Sequence, residues 1–402
     1  MTDDLGSRGG EPTDGASPSP WADMIEATRL TGLGRLDEAT ALIQRSLGGA
    51  PQARRDAAAP EARPGTARDP ASDASPRVRE VVGQVVRGLA PVLKGLGKPL
   101  RQPGPPADPS SVPPGGRFVA LSYTEAAGSR DYKLFIPSRP DARAPLVVML
   151  HGCTQNPDDF AAGTGMNILA ERAGVFVAYP AQSRQAHAQR CWNWYDPRDQ
   201  ARGSGEPAII AGLTRAVMAE HPIDPARVYI AGLSAGGAAA LNIARAYPDL
   251  YAAVGVHSGL AAGCARDLGS ALMAMQVGAP GLAAPTPFGA PAPATRVPTI
   301  IFHGEDDGTV SVRNADQVLA QADVTGLTAR SETMEGRGHP FTRTRYRDSS
   351  GRVVVEDWRV RGAGHAWSGG HPEGSYTDRD GPDASRAMLD FFAEHRLGPK
   401  RR

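Results

Sequence analysis

The residues that could do chemistry are a serine, a group of carboxylates and a set of histidines, met in that order along the chain. Ser234 lies in Gly232-Leu233-Ser234-Ala235-Gly236. Val228-Tyr229-Ile230-Ala231 before it is a short apolar run of strand formers. Ala238 to Tyr247 after it is alanine-rich and helix-forming, and Pro248 closes it. A serine on a tight strand-to-helix turn between glycines is the pattern of a nucleophile elbow. The glycines give the backbone room to turn, and the turn lifts the hydroxyl above the end of the sheet. The Ala235 amide then opens a helix, where unpaired donors and the helix dipole favour an oxyanion.

A serine nucleophile needs a base, and the base needs an orienting carboxylate. Pro298 to Phe302 reads as a strand, and His303-Gly304-Glu305-Asp306-Asp307-Gly308-Thr309-Val310 follows it. Three carboxylates compete there. Asp307 leads, by its spacing from His303-Gly304 and Thr309-Val310, and Asp306 is the fallback. Downstream lie His339, His365, His371 and His395. His365 follows the expected strand Val353–Val360 within Gly362-Ala363-Gly364-His365-Ala366-Trp367, where small residues let an imidazole approach the serine. His339 is the second choice. His371 lies in a Gly/Pro loop, and His395 belongs to the closing helix, facing solvent or packing.

The second oxyanion donor belongs to the turn after an early strand. Val147 to Leu150 followed by His151-Gly152-Cys153-Thr154-Gln155 is such a turn, with the Cys153 amide as donor and its thiol a bystander. Cys191-Trp192-Asn193-Trp194-Tyr195 is a dense aromatic cluster. Trp192 and Trp194, together with Trp367 beside His365, are candidates for holding an acyl chain or aromatic acid. A packed loop with core tryptophans is the equal alternative.

The elements that position these residues alternate. Phe118–Tyr123 and Tyr132–Ile136 flank Ala126 to Arg130 as a hairpin. Strands are expected at Pro145–Leu150, Gly174–Tyr179 and Tyr251–Val256. Helices are expected at Pro157–Ala173, Glu206–Glu220, Arg313–Ala322 and Ala384–His395. The late strand Val353–Val360 should pair with Ala329–Met334 or with Thr342–Arg347. Alternation of this kind predicts an α/β fold, a mostly parallel sheet with helices on both faces.

The first 116 residues read differently. Residues 1–20 have a disordered composition, and 21–48 read as a short helical hairpin. A linker at 49–76 leads to an amphipathic basic helix at 77–100, and a Pro/Gly linker follows at 101–116. In the helix Val78, Val81, Val82, Val85, Val86, Leu89, Val92, Leu93 and Leu96 keep helical spacing beside Arg79, Arg87, Lys94 and Lys98. Val78 to Leu96 is thus a candidate contact with a polymer granule or membrane surface. The alternative is packing on the main domain or on another subunit. The catalytic domain is expected at 117–396.

Bulk properties exclude some classes. Lys+Arg 44 against Asp+Glu 43 leaves a formal charge of +1, so nothing global points to nucleic acid. Three cysteines are too few for a disulfide framework, and none forms a metal-binding pair. Cys191 and Cys264 could be joined in an oxidising compartment or stay free thiols. No apolar run is long enough for a transmembrane helix, and the N-terminus lacks the apolar core of a signal peptide. The sequence therefore reads as cytoplasmic.

Several stretches together carry a resemblance: "LHGCTQN", "CWNWYDPRDQARGSGEPA", "AGLSAGG", "FHGEDDGTV", "GAGHAWSGG" and "GSYTDRDGPDASRAMLDFF". Residues 117–396 resemble the polyhydroxybutyrate depolymerase family of esterases. The resemblance implies an α/β-hydrolase fold, a triad of Ser234, Asp307 and His365, and an oxyanion hole near Cys153 and Ala235. It implies a serine carboxylester hydrolase that needs no cofactor or metal and acts on polyhydroxyalkanoate or other hydroxyacid esters. Feruloyl or acetyl (xylan) ester hydrolysis is the alternative within the family. A non-catalytic granule-binding protein is the alternative outside it. Many members are secreted, which makes an extracellular location the alternative to the cytoplasm.

Overall fold

The structure, a computed structural model, describes residues 112–278, 296–336 and 338–398. The helical hairpin, the linkers and the basic segment Val78 to Leu96 expected from the sequence lie outside the described residues. Strands β1 (Arg117–Glu125) and β2 (Gly128–Ile136) form the expected hairpin, followed by β3 (Ala144–Leu150). Helices α1 (Pro157–Thr164) and α2 (Met166–Ala173) lead to β4 (Phe176–Pro180). Then come α3 (Gly205–Glu220), β5 (Ile223–Leu233), α4 (Ala235–Ala246) and β6 (Ala253–His257). The chain continues through α5 (Leu268–Val277), β7 (Thr299–Gly304) and α6 (Arg313–Gln321). It closes with β8 (Thr328–Met334), β9 (Phe341–Arg347), β10 (Val353–Val360) and α7 (Ala384–Ala393). A two-stranded ladder of Trp367–Ser368 and Thr377–Asp378 lies between β10 and α7.

Ten strands make one sheet in the order β1-β2-β4-β3-β5-β6-β7-β10-β9-β8. The six from β4 to β10 run parallel, and antiparallel pairs extend both edges. Parallel strands need crossover helices, so the centre is covered on both faces. The residues show it by alternation. Leu146, Val148, Ile230 and Ile301 pack with α3, α4 and α6 on one face. Val147, Met149, Ala231, Ile300 and Phe302 pack with α1, α2 and α7 on the other. Each of these side chains larger than Ala231, fully buried, contributes about 1.5–3 kcal/mol.

Two details depart from the sequence-based expectation, and a third decides between two offered partners. The helix expected over Pro157–Ala173 is two helices, because Gly165 takes a left-handed backbone (φ 59) at the junction. Helix α5 was not expected. Its Leu268, Leu272 and Met273 are exposed, so it lacks a clear apolar stripe, and an Asp267–Ser270 capping box fixes its start. Finally, β10 pairs with Phe341–Arg347, and that strand in turn pairs with Thr328–Met334, so both segments offered as partners belong to the sheet.

Candidate active site

Ser234 stands between β5 and α4 with φ 58 and ψ −122. For a residue with a Cβ this conformation costs on the order of 1–3 kcal/mol, and the surrounding structure must hold it. The hold is backbone against backbone. A Cβ at Gly236 would lie 2.1 Å from the Leu150 carbonyl oxygen, and one at Gly232 would lie 2.4 Å from Gly236. Helix α4 therefore starts directly against the end of β3. The Ser234 amide donates to the His257 carbonyl (2.9 Å), which anchors the turn to β6.

The loop after β7 carries the acid. Asp307 is buried, whereas Glu305 and Asp306 are exposed. Asp307 Oδ2 lies 2.7 Å from His365 Nδ1. Its other oxygen accepts from the amides of Thr309 (2.9 Å) and Val310 (2.8 Å). Burial raises the Asp307 carboxyl. The hydrogen bond and charge of His365, then His303 and the Val310 amide, outweigh it and hold the carboxyl below its ordinary value. An ionised Asp307 fixes the proton on His365 Nδ1 and leaves Nε2 free to accept one.

The acid loop and the histidine loop touch through their backbones. A Cβ at Gly304 would lie 2.3 Å from the Ala363 carbonyl oxygen, and the amides of Glu305 and Asp306 donate to the carbonyls of Val360 and Ala363. The small residues before His365 serve this close approach. Two further histidines flank the acid, and burial lowers both, His257 to about 3 and His303 to about 4. Both are therefore neutral near pH 7. His303 Nε2 donates to the Val310 carbonyl (2.8 Å), and His257 Nε2 accepts from the Ser368 amide (2.9 Å). Both brace the loops around the site.

The other histidines are elsewhere. His339 faces Asp378 at 3.4 Å, and His371 faces Glu373 at 3.7 Å. His395 is buried against Phe391 at the end of α7.

The turn after β3 is held from several directions. The Gly152 amide donates to Gln155 Oε1 (2.9 Å), and Gln155 Nε2 donates to Asp159 (3.0 Å) and to the Ser375 carbonyl (3.0 Å). His151 Nδ1 donates to the Gly152 carbonyl (2.8 Å), while its Nε2 accepts from the Gln182 amide (3.1 Å). Burial, and to a lesser degree the Arg190 charge, hold His151 down to about 4. Among the described residues, neither the Cys153 nor the Ala235 amide donates to a protein group. Both remain available to an oxyanion.

Two sequence expectations are corrected here. The disulfide joins Cys153 to Cys191, not Cys191 to Cys264, and Cys264 is a buried thiol pushed up to about 12. Only the fold brings Cys191 beside the β3 turn. Of the tryptophans, Trp192 and Trp367 are closed inside the core rather than forming a ridge for substrate. Their indole N–H groups donate to the His151 carbonyl (3.0 Å) and to Ser385 Oγ (3.0 Å). Trp194 is also buried, set edge-on against Tyr195. All three pack within the core beside the candidate site.

Glu206 was missed. It is buried at the start of α3 and accepts from Arg130 Nη2 (3.2 Å), the Asn193 amide (2.9 Å), Asn193 Nδ2 (3.1 Å) and Gln182. Burial, reinforced by Asp199, raises it to about 7 despite Arg130. It ties the segment carrying Cys191 to the sheet. Its one sequence signal was a place inside the motif "CWNWYDPRDQARGSGEPA", which gives no hint of burial.

The chain is similar in sequence and fold to known esterases. Poly(3-hydroxyalkanoate) depolymerase C of Paucimonas lemoignei is 33% identical over 241 residues, 57% of this chain and 56% of that protein. Feruloyl esterase B of Thermothelomyces thermophilus is 32% identical over 139 residues, 34% of this chain and 47% of that one. The chain thus spans about half the length of the curated relatives it matches. Acetyl xylan esterase from Aspergillus awamori superposes with a TM-score of 0.51 at 20% identity, covering 69% of this chain and 99% of that one, a likeness of fold. The model of the esterase PHB depolymerase family matches residues 130–335, just over half of the chain, and the match includes Ser234 and Asp307. The fold is that of an α/β-hydrolase, and the chain belongs to the esterase PHB depolymerase family.

Proposed function

We propose that the protein is a serine carboxylester hydrolase that cleaves polyhydroxyalkanoate or short-chain hydroxyacid esters through an acyl-enzyme. One observation carries the reading: a strained serine elbow and a part-buried Asp307–His365 pair at 2.7 Å stand on loops at the same end of the parallel strands of one sheet. Ser234 Oγ attacks the ester carbonyl as His365 Nε2 takes its proton. Asp307 holds the imidazole tautomer and stabilises the imidazolium. The amides of Cys153 and Ala235 receive the oxyanion. His365 then protonates the departing alcohol, and a water activated by the same imidazole releases the acid.

The substrate is chosen by likeness to the depolymerases over the longer alignment. Similarity to a feruloyl esterase supports feruloyl or acetyl esters as the second reading. The Cys153–Cys191 bridge favours an oxidising compartment, and so the extracellular alternative. Among the described residues no helix is long and apolar enough to cross a membrane. Contact with a granule or membrane surface through Val78 to Leu96 is a proposal resting on the sequence.

The test is hydrolysis of hydroxybutyrate oligomers, feruloyl esters and acetyl esters by the intact protein and by Ser234→Ala. The intact protein should turn over the hydroxybutyrate oligomers fastest and be labelled by a fluorophosphonate. The variant should do neither, and residual activity above about one part in a thousand removes Ser234 as the nucleophile.

A further inference from the structure

Beside the oxyanion turn lies a cleft of about 640 Å³ that the reaction described above does not use. Its wall is the segment after β4, together with the start of β2 and the N-terminus of α1. Three arginines line it, Arg130, Arg184 and Arg190, against one carboxylate, Asp131. Arg130 is only 9% exposed; its Nη1 donates to the Ser129 carbonyl (2.8 Å) and its Nη2 to Glu206 (3.2 Å). Its buried Nε has no partner among the described residues. Arg184 and Arg190 belong to no ion pair among the described residues. The side-chain amides of Asn156 and Gln185 add to a lining that is mainly polar, with Pro157, Ala181 and Ala186 as its apolar part.

This cleft is tied to the chemistry through backbone. The Gln182 amide donates to His151 (3.1 Å), the Thr154 amide donates to the Gln189 carbonyl (2.7 Å), and Arg190 is followed by the bridged Cys191. Arg184 and Arg190 are thus carried by the segment that is fastened to the turn at Cys153. Two arginines without an ion pair, set beside a guanidinium already committed to Glu206, suit a carboxylate, which can accept from planar guanidinium forks. The amide groups suit ester carbonyls along the chain leading to it.

Resting on the esterase reading above, we propose that this cleft is a subsite for the free carboxylate end of a hydroxyacid oligoester. In such a chain the alcohol half of every ester carries the free carboxylate. The cleft would therefore hold the leaving fragment and direct cleavage toward the carboxyl end of a chain. Water adds across the ester, leaving one new carboxyl group on the acyl half and one hydroxyl on the fragment in the cleft.

Binding can be measured without turnover by titrating the Ser234→Ala protein with a linear 3-hydroxybutyrate trimer, as the free acid and as its methyl ester. At low salt the acid should bind about tenfold tighter, the sum of two partly exposed charge contacts. That advantage should fall to within about twofold in Ser234→Ala carrying Arg184→Gln and Arg190→Gln, and also in 0.5 M salt, where screening is about 4 Å long. Equal affinity for acid and ester, undetectable binding of the acid, or an advantage that survives loss of both arginines would overturn the proposal. The esterase reading stands or falls separately, on whether the unmutated protein hydrolyses the methyl ester trimer.

Discussion

In the proposed reaction the elbow at Ser234 and the turn at Cys153 serve one step, yet they are made rigid by different means. In the elbow, backbone is pressed on backbone, and the only side chains that matter are the ones glycine lacks. In the turn, Gln155, His151, Trp192, Gln182 and a disulfide each hold one point from a distant part of the chain. The first construction is all-or-none, since any Cβ breaks it. The second is graded, since each hold can be removed alone. A fold that must keep its nucleophile fixed while its oxyanion turn and substrate wall vary gains from this division.

The largest effect should come from Gly236→Ala. The new Cβ falls 2.1 Å from a main-chain oxygen that cannot yield, so the elbow should fail to form. Soluble yield, circular dichroism and ester turnover report it, and a folded variant within tenfold of normal activity would show that the elbow is graded too. Next, Asp307→Asn should lower kcat by about 10⁴, as expected for loss of the orienting acid, and Asp306→Asn by less than about threefold. If the two rank the other way, the exposed carboxylate is the orienter.

Removing the bridge with Cys153→Ser and Cys191→Ser should cost about 2–4 kcal/mol of stability, because it frees a loop of 38 residues. It keeps the Cys153 amide, so kcat should fall by only about tenfold while fluorophosphonate labelling of Ser234 persists. Dithiothreitol should act the same way. Complete inactivation would mean that the turn is as brittle as the elbow.

The smallest effect concerns pH. Glu206 is raised from 4.5 to about 7 in the folded protein, so between those values the folded state binds a proton that the unfolded chain has released. Its contribution to stability is present below pH 4.5, fades as pH rises to about 7, and then stays level. Glu206→Gln should flatten the slope of thermal stability over that window, measured by calorimetry. An unchanged slope would remove Glu206 as the group that tunes the wall segment.

These differences also explain what the sequence could tell. The elbow is written within a few residues, strand formers, glycine, serine and an alanine-rich helix, so local pattern is enough. Spacing favours Asp307 over Asp306, and the burial of Asp307 with its hydrogen bond to His365 is the physical ground that separates them. The Cys153 turn is different, because its supports are tertiary. Three cysteines allow three pairings, and only the approach of residue 191 to residue 153 selects one. Trp192 and Trp367 have the composition of a binding ridge and the positions of core residues, a distinction that depends on burial. Glu206 looks like any acidic residue in a helix's first turn until Arg130 and Gln182 close over it.

The placing of His365 beyond β10 has a consequence for the time at which the chain becomes active. The strand before His365 lies beside β7, and Met388 of α7 sits against Gly255 in β6, so the last part of the chain completes the sheet's centre. On a ribosome adding roughly 5–20 residues per second, the 58 residues separating Asp307 from His365 take about 3–12 s. Throughout that interval a nascent chain has the proposed nucleophile and acid but not the proposed base. Parallel strands joined over long separations are slow to pair, which lengthens the delay. On the proposed mechanism the protein is therefore synthesised inert, and hydrolysis would begin with the closing of the fold rather than with the nucleophile.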